Sequence, residues 1–216
     1  MITILLRGPH PTVHHGAVDA EQDAQRGHLV GPSGWLEQTR SFARALRGRR
    51  PRAAGELLLV GTPDEEPWHL AAHLDQESQL AGIPGLAPTL VRWSPPPGAP
   101  AHLSVGLARL EAARRGETLF VVSSLGAPPP LLERVHDARK VGATILALDA
   151  GDPELDEMAH EYLAVAPGLA PVSFDAAQHL VSAAAGEPAA ARTGARTGLR
   201  GRLARLLDAV SGPSAD

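Results

Sequence analysis

The stretch TLFVVSSLGAPPPLLERVHDARKVGATILALD, residues 118–149, decides the fold of this chain. It begins with an apolar, β-rich run over 118–123, breaks at a Ser-Leu-Gly turn, continues as an amphipathic helical run and ends in a second apolar run over 144–149. Two apolar strands joined by a helix are typical of a βαβ unit, whose strands are parallel. Ligands of such units gather at the carboxyl ends of strands, so Ser123 and the turn after it are the first candidates for a functional site.

The same alternation of strand-like and helix-like runs extends along most of the chain. Apolar residues at helical spacing predict the helices, and short continuous apolar runs predict the buried strands. We predict further helices over 35–47, 101–115, 153–160 and 174–185 and within 63–82, and further strands over 56–62, 88–93 and 161–167. This order of elements predicts the α/β class, as a doubly wound, three-layer αβα sandwich with a mostly parallel five-stranded sheet.

The composition changes at both ends of this α/β pattern. Residues 1–34 are rich in Gly, Pro and His and are predicted to form an irregular N-terminal arm. We expect the α/β domain to span 35–186. Residues 187–216 are predicted to combine a flexible linker with a basic amphipathic helix.

Composition and charge exclude several classes of function. The net charge of −4 and an aromatic content of 3% give no basic field and few stacking groups, so we expect no nucleic-acid partner. The absence of cysteine removes disulfides, thiolate nucleophiles and cysteine-based zinc sites. The apolar run in MITILLRG is too short for a signal peptide or a membrane span. The sequence therefore predicts a cytoplasmic protein without a membrane span.

The sequence offers little evidence for a bound cofactor or metal ion. The chain contains no G-x-S-x-G elbow, P-loop or G-x-G-x-x-G turn, so hydrolase, nucleoside-triphosphatase and dinucleotide functions have no motif behind them. We expect no cofactor. His69 and His73 have helical ligand spacing, and the arm contains His10, His14 and His15, but we predict no metal site.

The strands, the Ser-containing turn after the third strand and the KVGATILALD continuation resemble the sugar isomerase (SIS) family of phosphosugar-binding domains, phosphoheptose-isomerase-like in type. The resemblance covers 35–186, and its most specific part, VVSSLGAPPPLLERVHDARKVGATILALDA, is similar to the family's strand, S-x-S-G-x-[ST]-P loop, helix and following strand. It implies binding of a sugar-phosphate-like ligand, by a catalyst or by a sensing domain. It also implies a homodimer. We expect the 35–47 helix to contribute to the interface, with the C-terminal helix as an additional candidate.

The resemblance also implies which loop residues bind the ligand. Ser123 matches the family's first loop serine and Gly126 its glycine, whereas Leu125 and Pro128 stand where hydroxyl residues are expected. At roughly 1.5–3 kcal/mol for each charge-assisted hydrogen bond, these losses weaken phosphate binding by about two orders of magnitude or more. The predicted ligand-binding residues are Thr62, Ser123, Ser124, Gly126 and Ala127.

The loop after the first strand, GTPDEEP, carries three acids where the family tends to have a Gly-rich, Ser-containing turn. Asp64, Glu65 and Glu66 would repel a phosphate. Alternatively they are first-turn acids that complement the dipole of the next helix, and we favour this second interpretation.

The catalytic candidates come from the isomerases of the family, in which a carboxylate of the first helix and a histidine of the last helix shuttle protons. Asp75 or Glu77 lies near the first position and His179 near the second. A carboxylate that takes a C–H proton while an imidazole protonates the carbonyl oxygen would suit an aldose-ketose isomerase. Asp75 and Glu77 can equally be solvated helix residues, and His179 a structural one.

The leading functional hypothesis is therefore a phosphosugar-binding, or carbohydrate-derivative-binding, domain with a degenerate phosphate loop that is weakly catalytic or non-catalytic and serves in sensing or scaffolding. The first alternative is a phosphosugar aldose-ketose isomerase. The second is a protein-interaction module that uses the arginine-rich tail over 200–205.

Overall fold

The computed structural model describes residues 32–48, 53, 55–168 and 170–187. The predicted N-terminal arm, apart from residues 32–34, which begin the first helix, and the predicted basic C-terminal helix lie outside the described residues. Helices and strands alternate along the described chain. The elements are α1 (Pro32–Arg47), β1 (Leu57–Val60), α2 (Trp68–Ala81), β2 (Pro88–Val91), α3 (Ala108–Glu111), β3 (Thr118–Ser123), α4 (Pro129–Val141), β4 (Thr144–Asp149), α5 (Pro153–Met158), β5 (Glu161–Ala164) and α6 (Phe174–Gly186).

The five strands form one parallel sheet in the order β2-β1-β3-β4-β5. Helices α1, α2 and α6 pack on one face, and α3, α4 and α5 pack on the other. The predicted fold class, a doubly wound three-layer α/β sandwich with a five-stranded parallel sheet, is confirmed.

The central strands are apolar on both sides because both faces of the sheet are covered. In β3, Leu119 and Val121 pack in the cluster under α4, whereas Phe120 and Val122 pack in the cluster under α1 and α6. All six residues of β3 are buried. A continuous hydrophobic run, rather than strict alternation, is what a doubly covered parallel strand requires.

Local sequence signals account for the bounds of α4. The helix starts with Pro129 and Pro130, whose fixed φ suits the first helical positions and whose missing N–H groups would have no partner within the helix. It ends at Gly142, which has a φ of +95° and donates its N–H to the carbonyls of the last turn. The βαβ unit therefore follows the sequence pattern closely.

The helix predicted over 101–115 is wrong. This segment forms a 3₁₀ turn at Ala101–Leu103 and the short α3. Between them Gly106 makes an isolated parallel bridge with Arg92, and Arg92 donates its N–H to Val105 O at 2.8 Å. The apolar spacing of the segment suits a helix, but pairing with the end of β2 extends its backbone instead.

Helix α1 packs its apolar face into the core of the same chain. Trp35, Phe42 and Leu46 are buried, and the Phe42 and Phe120 rings lie 5.2 Å apart between centroids. The side of α1 that faces solvent carries charged and polar residues such as Glu37 and Arg44. No helix within the described ranges combines the length and the apolarity that a membrane crossing needs.

Candidate functional site

The strand order reverses between β1 and β3, and we call the region between the carboxyl ends of these two strands the crevice. The chain leaves β1 toward β2 on one side and leaves β3 toward β4 on the other, and ligands of open α/β sheets bind where the order reverses in this way. Two loops border the crevice, the β1–α2 loop over 61–67 and the β3–α4 loop over 124–128. Of the predicted ligand-binding residues, Thr62 lies on the first loop, Ser123 ends β3, and Ser124, Gly126 and Ala127 lie on the second loop.

The β1–α2 loop closes tightly on itself. Thr62 N–H donates to Glu65 O at 3.0 Å, and Glu65 N–H donates to Thr62 O at 3.3 Å. A Cβ on Gly61 would overlap Glu65 O and lie 2.6 Å from Pro67 Cδ, so only glycine fits there. The indole Nε1 of Trp93 donates to Gly61 O at 2.9 Å. This turn fixes the position of the Glu65 backbone, from which its side chain extends.

The acids of this loop do not act as first-turn acids of α2, so that interpretation is wrong. Helix α2 begins at Trp68 and has no acidic residue in its first turn. Glu66 instead pairs with Arg92 at 2.8 Å, and the Arg92 guanidinium lies 4.3 Å from the centroid of the Trp68 ring. Glu65 Oε2 accepts a hydrogen bond from Ser124 Oγ. Glu65 and Glu66 are thus held by tertiary contacts.

Two hydrogen-bond donors of the β3–α4 loop are bonded within the chain. Ser124 Oγ is bonded to Glu65, and Ala127 N–H donates to Asp152 Oδ2 at 2.8 Å. Gly126 adopts a φ of +99°, and Leu125 is 86% exposed. Two of the predicted ligand donors are therefore bonded to carboxylates of the chain itself.

The amino terminus of α4 adds no donors to the crevice. Its first two residues are prolines, which lack an N–H. The next two N–H groups, of Leu131 and Leu132, both donate to Pro128 O, at 2.8 and 3.2 Å. Phosphate binding at a helix amino terminus depends on free N–H groups that point at the anion. The first turn of α4 offers none.

Ser123 is a predicted ligand-binding residue whose side chain is uncommitted. It is fully buried at the end of β3, and its Oγ has no hydrogen-bond partner among the described residues. A buried hydroxyl without a partner costs free energy. Binding of a group that hydrogen-bonds to this hydroxyl, at the carboxyl end of β3, would therefore be favourable.

A buried carboxyl group that sequence reasoning missed lies beside Ser123. Asp149 ends β4 in register with Ser123, is fully buried, and accepts hydrogen bonds from Tyr162 Oη at 2.5 Å and from Gly151 N–H at 2.6 Å. Burial raises the pKa of Asp149, and the Tyr162 hydrogen bond opposes that rise. Burial and the neighbouring Asp149 raise the pKa of Tyr162. The acid that ends the apolar run TILALD was the available sequence signal.

Asp152 is the second residue that was missed. Its Oδ1 accepts from the N–H groups of Glu154 and Leu155, at 3.0 and 3.2 Å, and so caps α5. Its Oδ2 accepts from Ala127 and thereby joins the β4–α5 loop to the β3–α4 loop. An Asp-Pro pair before a helix indicates the cap, but the bond to Ala127 has no local signal.

The three predicted catalytic residues lie on α2 and α6. Asp75 is exposed and accepts from Gln79 Nε2 at 2.8 Å. The Glu77 carboxylate lies where a Cβ on Gly186 would be, at the last residue of α6. These contacts do not bring Asp75 or Glu77 to His179.

His179 lies against a second histidine where α2 and α6 pack together. The His73 and His179 rings are 4.4 Å apart between centroids, and His179 Nε2 is 3.5 Å from Asp175 Oδ2. Burial lowers the pKa of His73, as do His179 and His69, whereas Asp175 raises it. In the part of the chain that the structure describes, no group of three or more His, Asp or Glu side chains is arranged to hold a metal ion.

Comparison with known proteins finds relatives at the level of structure. No family model and no curated protein matches the sequence. The chain is similar to a putative phosphosugar isomerase from Silicibacter pomeroyi, with 17% identity over 88% of this chain and 51% of that chain and a TM-score of 0.51. The chain thus spans about half the length of that protein.

Two further solved structures are similar to the chain. One is the sugar isomerase domain of an RpiR transcription factor from Sphaerobacter thermophilus, with 17% identity, 88% of this chain and 96% of that chain covered, and a TM-score of 0.46. The other is the Vibrio vulnificus NanR protein complexed with ManNAc-6P, with 13% identity, 90% and 73% covered, and a TM-score of 0.48. The structural neighbours thus include a SIS domain and a putative phosphosugar isomerase, and at these identities the likeness establishes the fold alone.

Proposed function

We propose that this chain is a SIS-like carbohydrate-derivative-binding domain that holds a sugar-phosphate-like ligand weakly between the carboxyl ends of β1 and β3. It senses or scaffolds rather than turning over substrate. The observation that carries the proposal is the pair of internal hydrogen bonds from Ser124 to Glu65 and from Ala127 to Asp152. Donors that a phosphate loop would offer to its ligand are bonded to carboxylates of the same chain.

Two features of this crevice oppose the binding of a phosphoryl group. Hydrogen-bond donors are already occupied, and carboxylates place negative charge nearby. It would have to displace Glu65 from Ser124 and Asp152 from Ala127. Each exchange replaces one charge-assisted hydrogen bond with another, so little is gained. Two carboxylates also remain nearby and repel the anion. Weak binding is the expected result.

The positions of the catalytic candidates favour a binding role over catalysis. A general base acts within about 3 Å of the proton that it removes, or through one water. Asp75 is bonded to Gln79 on its own helix, and Glu77 lies at the far end of α6. His179 is packed against His73. These contacts do not converge on the loop that follows β3.

The proposal includes a homodimer in a bacterial cytoplasm. The apolar face of α1 is buried in the chain's own core, so an interface that uses α1 would have to be formed by its charged face. Size-exclusion chromatography with light scattering tests the dimer.

Titration of the full-length protein with a panel of hexose and heptose phosphates tests the proposed function. Isothermal titration calorimetry measures affinity, and an aldose-ketose assay measures turnover. We expect weak, saturable binding of at least one sugar phosphate and no turnover. In NMR spectra, we expect the backbone amide signals of Ser123 and Gly126 to shift when the ligand is added. Tight binding accompanied by interconversion would contradict the proposal, and so would the absence of binding by every sugar phosphate in the panel.

A further inference from the structure

We propose that Glu65 is a specificity-determining residue that acts as an internal competitor for phosphoryl groups. Its carboxylate occupies the hydrogen-bonding position at Ser124 where a phosphoryl oxygen of a ligand would accept. The inference rests on the proposed function for the location of the site. It goes further by naming the residue that decides which ligands the crevice admits.

The backbone of the β1–α2 loop holds Glu65 in this position. The two hydrogen bonds between Thr62 and Glu65 close the turn, and the space beside Gly61 is filled by Glu65 O and Pro67. Glu65 therefore has little backbone freedom, and its side chain reaches a residue 59 positions later in the sequence. A competitor that is held in place loses less conformational entropy than a free ligand does.

The neighbours of Glu65 keep its charge available to Ser124. Arg92, which directly follows β2, is paired with Glu66 at 2.8 Å and stacked on Trp68. The Arg92–Glu66 pair is largely buried, with side-chain exposures of 13% and 16%. The Glu65 carboxylate thus has the Ser124 hydroxyl as its recorded side-chain partner.

The residue next to Ser124 supplies an independent sign that the crevice binds a ligand. Ser123 Oγ is fully buried and has no hydrogen-bond partner in the described part of the chain. Buried hydroxyls are nearly always bonded to protein, water or a ligand. With Glu65 in place, a ligand that presents a hydroxyl to Ser123 is admitted, whereas a phosphoryl group that needs both serines is resisted.

Substitution of Glu65 tests the inference with inorganic phosphate as the probe, so the test needs no knowledge of the sugar. Glu65→Ala frees the Ser124 hydroxyl and removes one negative charge. We expect its phosphate affinity, measured by calorimetry at constant ionic strength, to rise about tenfold to a hundredfold over wild type, the range of one charge-assisted hydrogen bond. Glu65→Gln removes the charge but keeps an acceptor for Ser124, and we expect a smaller rise.

Two controls separate competition at Ser124 from a general effect of charge. Asp64→Asn removes one negative charge from an exposed residue of the same loop and leaves the Ser124 hydroxyl bonded to Glu65. It should change phosphate affinity much less than Glu65→Ala. The double variant Glu65→Ala/Ser124→Ala should lose most of the gain. Circular dichroism verifies that each variant is folded.

The outcomes distinguish this inference from the proposed function. Equal gains in Glu65→Ala and Asp64→Asn, no gain in either Glu65 variant, or a gain that survives the loss of the Ser124 hydroxyl would each overturn the competitor role. Sugar binding by the wild type, measured separately, supports or contradicts the proposed function whichever of these results is found. If Glu65→Ala binds phosphate more tightly but the wild type binds no sugar, the competitor role of Glu65 would be supported and the proposed function contradicted.

Discussion

Gly61 is the residue on which the shape of the crevice depends most directly. Its Cα faces Glu65 O and Pro67 so closely that no side chain can be accommodated. The turn also carries Glu65 to Ser124, so a change at this one position alters both the local backbone and the loop that follows β3.

We predict that Gly61→Ala lowers the free energy of unfolding by about 1–3 kcal/mol, because the added methyl group overlaps backbone that cannot move freely. Urea denaturation measures the loss. Gly106→Ala is the matched control, since a Cβ there would meet Pro95 Cγ at an ordinary 3.6 Å. A Gly61 variant as stable as the Gly106 variant would show that the turn is not closed as described.

Tyr162 and Asp149 form a hydrogen-bonded polar pair at the carboxyl edge of the sheet. Because burial raises the pKa of Asp149 above 3.8, the folded protein holds this proton more tightly than the unfolded chain does. That contribution to stability is complete at low pH and is lost as pH rises through the folded pKa. Above this pKa the Tyr162 hydrogen bond partly offsets the cost of the buried charge.

We therefore predict that Tyr162→Phe destabilises the protein by about 1–3 kcal/mol at neutral pH, the cost of removing a hydrogen bond to a buried charged group. The loss should shrink as the pH is lowered toward the ordinary carboxyl pKa of 3.8. Urea denaturation across this pH range measures the dependence. A penalty that does not change with pH would mean that Asp149 does not ionise in the folded protein over that range.

The contact between α2 and α6 should make the stability of the fold depend on pH. His73 lies against His179 at this contact, with His69 on its own helix and Asp175 on α6 as further charged or titratable neighbours. Because the pKa of His73 is lower in the folded protein than its usual 6.5, the unfolded chain binds this proton first as the pH falls. Stability is therefore retained above that value and lost below it.

We predict that His73→Gln reduces the loss of unfolding free energy between neutral pH and about pH 5, because the substituted residue no longer takes up a proton preferentially in the unfolded chain. His136→Gln, at an exposed position of α4, is the matched control. Thermal denaturation at several pH values measures both slopes. If the two variants lose stability equally with pH, the histidine contact does not cause the dependence.

How far the sequence predicts an element depends on whether its hydrogen-bond partners are local. The unit β3–α4–β4 follows from its apolar runs, its initial prolines and Gly142, all of which act within a few residues. The helix prediction over 101–115 is wrong because Val105 and Gly106 pair with Arg92, which lies outside the segment. The candidate site divides in the same way: the Ser-Leu-Gly turn is visible in the sequence, whereas the contacts of Ser124 with Glu65 and of Ala127 with Asp152 are not.

At the scale of the whole molecule, α1 belongs to the core of a single chain. Leu46 is fully buried in the cluster that also contains residues of α6 and the central strands. We predict that Leu46→Ala lowers the free energy of unfolding by about 2–5 kcal/mol, the range for such core truncations, without changing the molar mass in solution. Denaturation and light scattering measure the two quantities. A change of mass with little loss of stability would place this face at a subunit boundary.

The end of α1 is tied to the end of α6. The guanidinium of Arg47 donates to Ala184 O at 2.9 Å and to Ala185 O at 3.0 Å. Since α1 leads into β1, this shared end lies at the amino edge of the sheet, opposite the crevice. A variant that ends at residue 187 and is immobilised there would thus be attached on the side of the sheet away from the crevice. Small molecules could then be offered to the crevice of an immobilised sample.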